Sequence, residues 1–228
     1  MVEILLLDLD DTILDFAATE RKSMIRFLQA YHVEPTEEIL QRYHAINLSL
    51  WLALERGELT RDEVGERRFA ILFQELGMEA DSADCEKMYR QFLSEGDDVL
   101  PGAVEAVKEL AKKYRLFAAT NSTTAIQEGR LAQTGLRQYF EDLFISEGLD
   151  CYKPSVEFFQ RAFAKIPNFD AEKAMMVGDS LTSDIQGGNN AGIKTCWINP
   201  KHKPQREDIQ ADYEIESITQ LAALLEAL

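Results

Sequence analysis

The chain has 228 residues, of which 46% are hydrophobic, and its formal net charge is −16. This length and composition fit a globular protein with a substantial core, built as one large domain or as a core with an insertion. The negative charge argues against nucleic acid or an anionic membrane as a partner, but a small phosphorylated molecule needs only local positive groups. The three scattered cysteines lack the spacing of a zinc site.

The first element in chain order is an apolar strand that ends in acidic residues. The run 4–7 is too short for a helix, and its continuous apolar character is typical of a strand buried on both faces. Asp8 and Asp10 follow it two positions apart, so their carboxylates point to the same side in extended chain. Because close carboxylates repel and hard oxygen ligands favour Mg²⁺, we predict a magnesium site here. The alternative is a solvated turn with an acidic helix cap.

From about residue 14 to residue 98 the pattern becomes helical. Thr60 and Glu63 have the spacing of a capping box that opens a helix, and Gly77 fits the position that ends it. Short connections between consecutive helices predict a small bundle inserted after the first strand. The predicted helices cover about 16–31, 36–54, 60–76 and 82–93.

From about residue 99 the pattern alternates between helix and strand. This alternation predicts a parallel sheet with right-handed crossovers, which is a Rossmann-like α/β core. We therefore predict a core formed by 1–13 and 99–228, with 14–98 as a separate helical-bundle domain. Predicted strands cover 115–120, 142–146, 174–178, 193–198 and about 213–215, and predicted helices cover 102–113, 123–133, 155–165, 183–191 and the segment from 217.

Polar residues stand at the ends of these predicted strands in a fixed order. Thr120, with Asn121 after it, ends one strand, Lys153 follows the next, and Asp179 ends a third, with Asp184 five residues later. Together with the first acid pair, this order resembles the haloacid dehalogenase superfamily of hydrolases, most of which are Mg²⁺-dependent phosphatases. The resemblance covers the whole chain. It implies that the helical domain is a cap lying over the active site.

The resemblance implies a covalent mechanism for phosphate ester hydrolysis. Asp8 would be the nucleophile that forms an aspartyl-phosphate. Asp10 would protonate the leaving oxygen and then deprotonate the attacking water. Asp8, Asp10 through its backbone carbonyl, and Asp179 would be the Mg²⁺ ligands.

The resemblance also assigns phosphate-binding roles. Thr120 and Asn121 would bind the transferring phosphoryl group with the help of backbone N–H groups. Lys153 is a compact charge suited to holding phosphate against the nucleophile. Asp184 would orient Lys153 or a metal-bound water.

A finer resemblance links the chain to the bacterial house-cleaning 5′-nucleotidases, which act on pyrimidine nucleoside monophosphates. It rests on the segments 47–51, 68–69, 120–122, 130–131 and 134–136. Asn47 and Trp51 are the expected substrate-binding residues of the cap. Trp51 or Phe69 could stack on a base, or could instead pack the cap core. Ser122 departs from the family, which usually shows glycine there.

Two other functions stay open at this point. A phosphoglycolate phosphatase or a β-phosphoglucomutase-like enzyme would share this core and cap type. A non-catalytic phosphate-binding module is disfavoured because the set of acids and lysine is complete.

The expected partner is a small phosphorylated metabolite, such as a nucleotide, with no nucleic acid and no membrane. No apolar stretch is long enough to span a bilayer and no basic leader precedes the first strand, so a cytoplasmic location is expected.

Overall fold

The computed structural model describes residues 1–79 and 81–228, and the chain divides into two compact units. Unit 1 consists of Met1–Phe16 and Asp97–Leu228, and unit 2 is the segment Ala17–Gly96 between them. The predicted boundaries at positions 14 and 98 lie within a few residues of this division. Within the described residues, no helix is long and apolar enough to cross a membrane.

Unit 1 is built on a six-stranded parallel sheet. The strands are β1 Ile4–Leu7, β2 Arg115–Thr120, β3 Asp142–Ile145, β4 Ala174–Gly178, β5 Lys194–Ile198 and β6 Tyr213–Ile215. Their spatial order is β3-β2-β1-β4-β5-β6, so the central strand β1 pairs with β2 on one side and with β4 on the other. All four residues of β1 are buried, as its continuous apolar character predicts. The predicted α/β fold is therefore confirmed.

Helices cover both faces of this sheet. Alternate residues of a strand point to opposite faces. Leu5 accordingly packs in an apolar layer with residues of Ala103–Leu110, whereas Leu6 packs in a second layer with residues of Val156–Phe163. The core of unit 1 thus lies in two layers, one on each side of the sheet. The α-helices of unit 1 are Ala103–Leu110, Thr124–Gln133, Ser146–Leu149, Val156–Phe163, Gln186–Asn190 and Leu221–Glu226.

Two segments of unit 1 differ from the sequence-based prediction. The predicted helix 183–191 begins with the π-helical turn Leu181–Ile185 and continues as the α-helix Gln186–Asn190. The short helix Ser146–Leu149, which directly follows β3, was not predicted. Turns of π-helix occur frequently at functional sites.

Glycines let one helix approach the sheet closely. A Cβ atom on Gly187 would lie 2.6 Å from the Phe159 ring, and one on Gly188 would lie 2.5 Å from Thr195 Cγ2. These contacts support close helix-sheet packing, rather than phosphate binding, as the reason for the two glycines.

Unit 2 contains the predicted bundle of helices. The expected capping box is present, because Glu63 N donates to Thr60 Oγ1 over 3.3 Å and Thr60 N donates to Glu63 Oε2 over 2.9 Å. Gly77 ends that helix in the left-handed conformation, with φ 66°. The helices run over Phe16–Ala30, Glu37–Glu55, Arg61–Leu76 and Ser82–Ser94.

Aromatic rings form the core of unit 2. Phe27, Tyr43, Phe69 and Tyr89 are all almost completely buried. The Phe69 ring centroid lies 4.7 Å from that of Phe27 and 5.5 Å from that of Tyr89. Phe69 therefore packs the bundle core, which decides between the two interpretations that its sequence left open.

Candidate active site

Asp8 sits at the carboxyl end of the central strand. Its backbone N–H donates to Val177 O over 2.9 Å, so the chain stays attached to β4 one residue beyond β1. Parallel strands in register bring the carboxyl ends of β1, β2 and β4 side by side. Asp8 is 7% exposed, which leaves its carboxylate largely withdrawn from water.

Lys153 connects the acidic residues in this site. Its ammonium group donates to Asp8 Oδ1 over 2.7 Å, to Asp184 Oδ1 over 2.6 Å and to Ala119 O over 2.6 Å. These three bonds use the full donor capacity of an ammonium group. The side chain is buried and therefore fixed in place. The structure thus brings together Asp8, Lys153 and Asp184, as the motif order predicts.

Asn121 fixes the backbone of the segment that carries the lysine. Its Oδ1 accepts from Lys153 N over 2.9 Å, and its Nδ2 donates to Lys153 O over 2.8 Å. Nδ2 also contacts Ser183 Oγ at 3.3 Å. Asn121 was predicted to bind substrate, and these contacts additionally give it a role in placing Lys153.

Three carboxylates converge at this edge of the sheet. Oxygen atoms of Asp8, Asp179 and Asp184 all lie within 4.8 Å of one another. Asp184 Oδ2 also accepts from Ser180 N over 3.0 Å. A Cβ atom on Gly178 would lie only 2.1 Å from Asp184 Oδ2, so a side chain at that position would displace the acid.

The charges in this cluster do not balance. Burial raises the pKa of Asp8 well above its ordinary value, against the attraction of Lys153, and Asp184 and Asp179 raise it further. Burial, followed by repulsion from Asp184 and Asp11, raises the pKa of Asp179 to about 8. Burial lowers the pKa of Lys153, but the two acids it contacts outweigh this effect and raise the value. Surplus negative charge with oxygen donors suits a hard divalent cation.

Asp10 points to a different set of partners. Its carboxylate is bound by Arg130 and by Gln127, whose Nε2 lies 2.8 Å from Asp10 Oδ2. The same Nε2 lies 3.2 Å from the hydroxyl oxygen of Thr120, a residue that is almost completely buried. The Asp10 side chain is not among the three converging carboxylates. No sequence pattern pointed to Gln127, which lies three positions before Arg130 and so shares a helix face with it.

The two cap residues predicted to bind substrate lie in unit 2. Asn47 is buried, with Nδ2 donating to Glu20 Oε1 over 2.7 Å and Oδ1 accepting from Arg68 over 3.1 Å. Its amide is therefore engaged inside the bundle. Trp51 is only half-buried on the same helix.

Comparisons with known proteins agree with this arrangement. A family model for haloacid dehalogenase-like hydrolases matches residues 2–192. The chain is 42% identical to the HAD-hydrolase YfnB of Bacillus subtilis, over 97% of this chain and 94% of YfnB. It is 41% identical to the pyrimidine 5′-nucleotidase PynA of Streptococcus pneumoniae, over 97% and 94% of the two chains. It is 34% identical to the pyrimidine 5′-nucleotidase YjjG of Escherichia coli, over 96% and 95%.

A solved structure extends the similarity to three dimensions. The crystal structure of Bacillus subtilis YfnB bound to magnesium matches with a TM-score of 0.94 and 41% identity, covering 98% of each chain. The motif order, the family match and the fold agree along the chain. The chain belongs to the haloacid dehalogenase-like hydrolase family, which confirms the prediction of an enzyme of the phosphatase type.

Proposed function

We propose that this enzyme is a Mg²⁺-dependent 5′-nucleotidase that hydrolyses pyrimidine nucleoside monophosphates through an aspartyl-phosphate. The observation that carries the proposal is the buried Asp8 carboxylate, held by Lys153 at the carboxyl end of the central strand. The pyrimidine 5′-nucleotidases at 41% and 34% identity support the substrate class. A cytoplasmic location stays a prediction from the sequence.

In the first step an oxygen of Asp8 attacks phosphorus, and the bond from phosphorus to the sugar 5′-oxygen breaks. Asp10 gives a proton to that leaving oxygen. Thr120 donates its hydroxyl hydrogen to a phosphoryl oxygen, while Lys153 offsets negative charge beside the nucleophile. This step leaves a free nucleoside and a phosphorylated Asp8.

The second step releases phosphate and restores the enzyme. Asp10 takes a proton from a water molecule, whose oxygen attacks phosphorus. The bond between phosphorus and the Asp8 oxygen then breaks, which regenerates the carboxylate. Asp10 ends this step protonated, ready for the next leaving group.

The residues at the site fit a magnesium ion. Asp8 and Asp179 would hold it with carboxylate oxygens, and the Asp10 backbone carbonyl would contribute by the family resemblance. When bound, Mg²⁺ offsets the surplus negative charge and polarises the phosphoryl oxygens. Asp184 holds Lys153 through its Oδ1 and is kept in place by Ser180 N, so we assign it a positioning role.

The departure at Ser122 does not weaken the proposal. Among the described residues with positive φ, Ser122 does not appear, so its backbone has no need of glycine's freedom. Ser122 is buried, and its carbonyl accepts from Ser146 Oγ over 3.3 Å. In unit 2, Trp51 stays the proposed contact for the nucleoside, whereas Asn47 holds Glu20 and Arg68 inside the bundle.

The proposal is tested by phosphate release from nucleoside monophosphates, phosphoglycolate and hexose phosphates, with Mg²⁺ and with EDTA. Pyrimidine monophosphates should be the best substrates, and EDTA should abolish turnover until Mg²⁺ is restored. Acid quenching with ³²P-labelled substrate should trap label on Asp8. Full activity in EDTA would refute the metal role. A preference for phosphoglycolate would identify that compound, and not a nucleotide, as the substrate. A phospho-enzyme that accumulates without releasing phosphate would indicate a mutase.

A further inference from the structure

One buried side chain connects the proposed acid-base residue with the proposed phosphate-binding residue. Gln127 is completely buried on the helix Thr124–Gln133. Its Nε2 lies 2.8 Å from Asp10 Oδ2 and 3.2 Å from Thr120 Oγ1. An amide NH₂ group has two hydrogens, so it can serve both acceptors at once.

Arg130 holds the other oxygen of the same carboxyl group. It lies three positions after Gln127, which places both side chains on one face of the helix. The Arg130 side chain is completely buried and forms an ion pair with Asp10 Oδ1. Each oxygen of Asp10 therefore has its own donor, and rotation of the carboxyl group would break one of the two bonds.

The direction of the hydrogen bond at Thr120 matters for its role. Because Gln127 Nε2 donates to the Thr120 oxygen, the hydroxyl hydrogen is not used in that bond. The hydrogen can then be donated to a phosphoryl oxygen. Gln127 thus leaves the hydroxyl of Thr120 free to donate, while the same rigid group holds the carboxyl of Asp10.

The other end of Gln127 argues against a purely structural role. Gln127 Oε1 is buried and has no hydrogen-bond partner among the described residues. A buried polar atom without a partner lowers stability, and a leucine of similar size would avoid that cost. A glutamine here is therefore explained better by what its NH₂ group holds than by packing.

We infer that Gln127 and Arg130 are positioning residues, which fix the Asp10 carboxyl group relative to the phosphoryl group bound at Thr120. The inference rests on the proposed function, because it takes Asp10 as the group that transfers protons. It assigns no chemical step to either residue. Its consequence is that disturbing Gln127 should slow reactions in which the leaving oxygen needs a proton.

The test compares first-turnover rates for two substrates with different leaving groups. A nucleoside monophosphate leaves as an alkoxide that needs a proton, whereas p-nitrophenyl phosphate leaves as a stable nitrophenolate. In Gln127→Leu, phosphorylation of the enzyme by uridine monophosphate should slow by about tenfold or more, with KM changed by less than about threefold. The first-turnover release of p-nitrophenol by Gln127→Leu should stay within about threefold of the wild-type rate.

Three matched variants complete the design. Gln133→Leu removes an exposed glutamine from the same helix and should leave both rates unchanged. Arg130→Lys keeps a charge near Asp10 and should retain more activity on the nucleotide than Arg130→Met. The melting temperature of Gln127→Leu should equal or exceed that of the wild type, whereas a structural role predicts a lower value.

The outcomes separate this inference from the proposed function. If Asp10→Asn slows both substrates equally in the first turnover, the acid role of Asp10 fails and the inference fails with it. If that control behaves as expected and Gln127→Leu changes neither rate, or lowers both alike, the positioning role alone is overturned.

Discussion

Each unit contains a buried carboxylate paired with a buried cation, and the two carboxylates respond in opposite ways. Burial alone would raise the pKa of both Asp8 and Glu86. At Asp8, burial and the neighbouring acids outweigh Lys153, so the pKa is well above its ordinary value. At Glu86, Arg68 and Arg90 together outweigh burial and the pKa is lowered. The difference lies in the charges around each pair.

The cluster in unit 2 is closed, because arginines surround the Glu86 carboxylate. Arg68 Nε lies 2.9 Å from Glu86 Oε2, and Arg68 Nη2 lies 2.8 Å from Glu86 Oε1, which is a bidentate pair. Arg90 contacts the same carboxylate. Gly65 leaves room for it, because a Cβ atom there would lie 2.8 Å from Glu86 Cδ. Such a cluster holds helices together and needs no ligand.

The cluster in unit 1 is open by the same criterion. Three acids converge there, and Lys153 contacts two of them. Its surplus negative charge should destabilise the unit, and a bound cation would offset this effect. The two clusters therefore differ in whether cations match the buried acids, and four experiments test this difference.

The largest effect is expected for Asp8→Asn, which keeps the shape of the side chain but removes the anionic nucleophile. Turnover should fall by more than about a hundredfold, which corresponds to roughly 3 kcal/mol or more of barrier. Because one surplus charge is removed, the free energy of unfolding of unit 1 should not fall. Phosphate release measures the turnover. Chemical denaturation in a Trp51→Phe background, monitored by Trp197 fluorescence, measures the free energy of unfolding of unit 1. Retained turnover would disprove the nucleophile assignment.

Arg68→Met tests the closed cluster in unit 2. Removing one partner of a buried ion pair leaves the other charge undercompensated, so we expect a loss of about 3 kcal/mol in the free energy of unfolding. Trp51 fluorescence in a Trp197→Phe background reports on this unit. The matched control is Arg67→Met, whose pair with Glu63 is exposed and should contribute less than about 1 kcal/mol. Similar small losses in both variants would contradict the contrast.

Magnesium should stabilise unit 1 and leave unit 2 unchanged. At a free Mg²⁺ concentration about 100 times its Kd, binding to the folded state alone adds about 2.7 kcal/mol. The difference is measured by chemical denaturation with Mg²⁺ and with EDTA. Trp197 fluorescence reports the unfolding of unit 1, and Trp51 fluorescence reports that of unit 2. Asp179→Asn should lose the gain, whereas Asp208→Asn, an exposed acid of the same unit, should keep it. Equal stabilisation in both acid variants would refute the assigned metal site.

The smallest effect is expected at Trp51. Trp51→Ala should lower kcat/KM for a pyrimidine monophosphate by about tenfold, or about 1.4 kcal/mol, and should barely affect acetyl phosphate, which lacks a nucleoside. Leu52→Ala, at an exposed neighbouring position, is the control. Asn47→Ala should instead lower the stability of unit 2, since Asn47 joins Glu20 to Arg68. Equal losses on both substrates for Trp51→Ala would indicate packing.

The elements that the sequence predicted well are those determined by local physics. The continuous apolar run before Asp8 required a buried strand, and the capping box at Thr60 required a helix start. The positions of Lys153 and Asp184 followed from strand ends, because parallel strands bring those ends together. The fold class was predictable for this reason, whereas the family was predicted from the resemblance of its motif order.

Contacts that depend on which helix faces pack together could not be predicted from the sequence. Asn47 looked like a substrate contact, but its partners Glu20 and Arg68 come from two other helices. Gln127 had no visible pattern, since one buried glutamine in a helix resembles any other polar residue. The π-helical turn at Leu181–Ile185 also has no periodic signature that distinguishes it from an α-helix.

The central place of β1 has a consequence for hydrogen exchange. Its backbone groups bond to strands on both sides, and its side chains lie in both apolar layers. Segments of this kind exchange their amide hydrogens only when the whole unit opens. The Asp8 amide, bonded to Val177 O, should therefore be among the slowest to exchange. The proposed nucleophile should therefore lie on slowly exchanging backbone, and its position should persist through local openings that expose the surrounding loops.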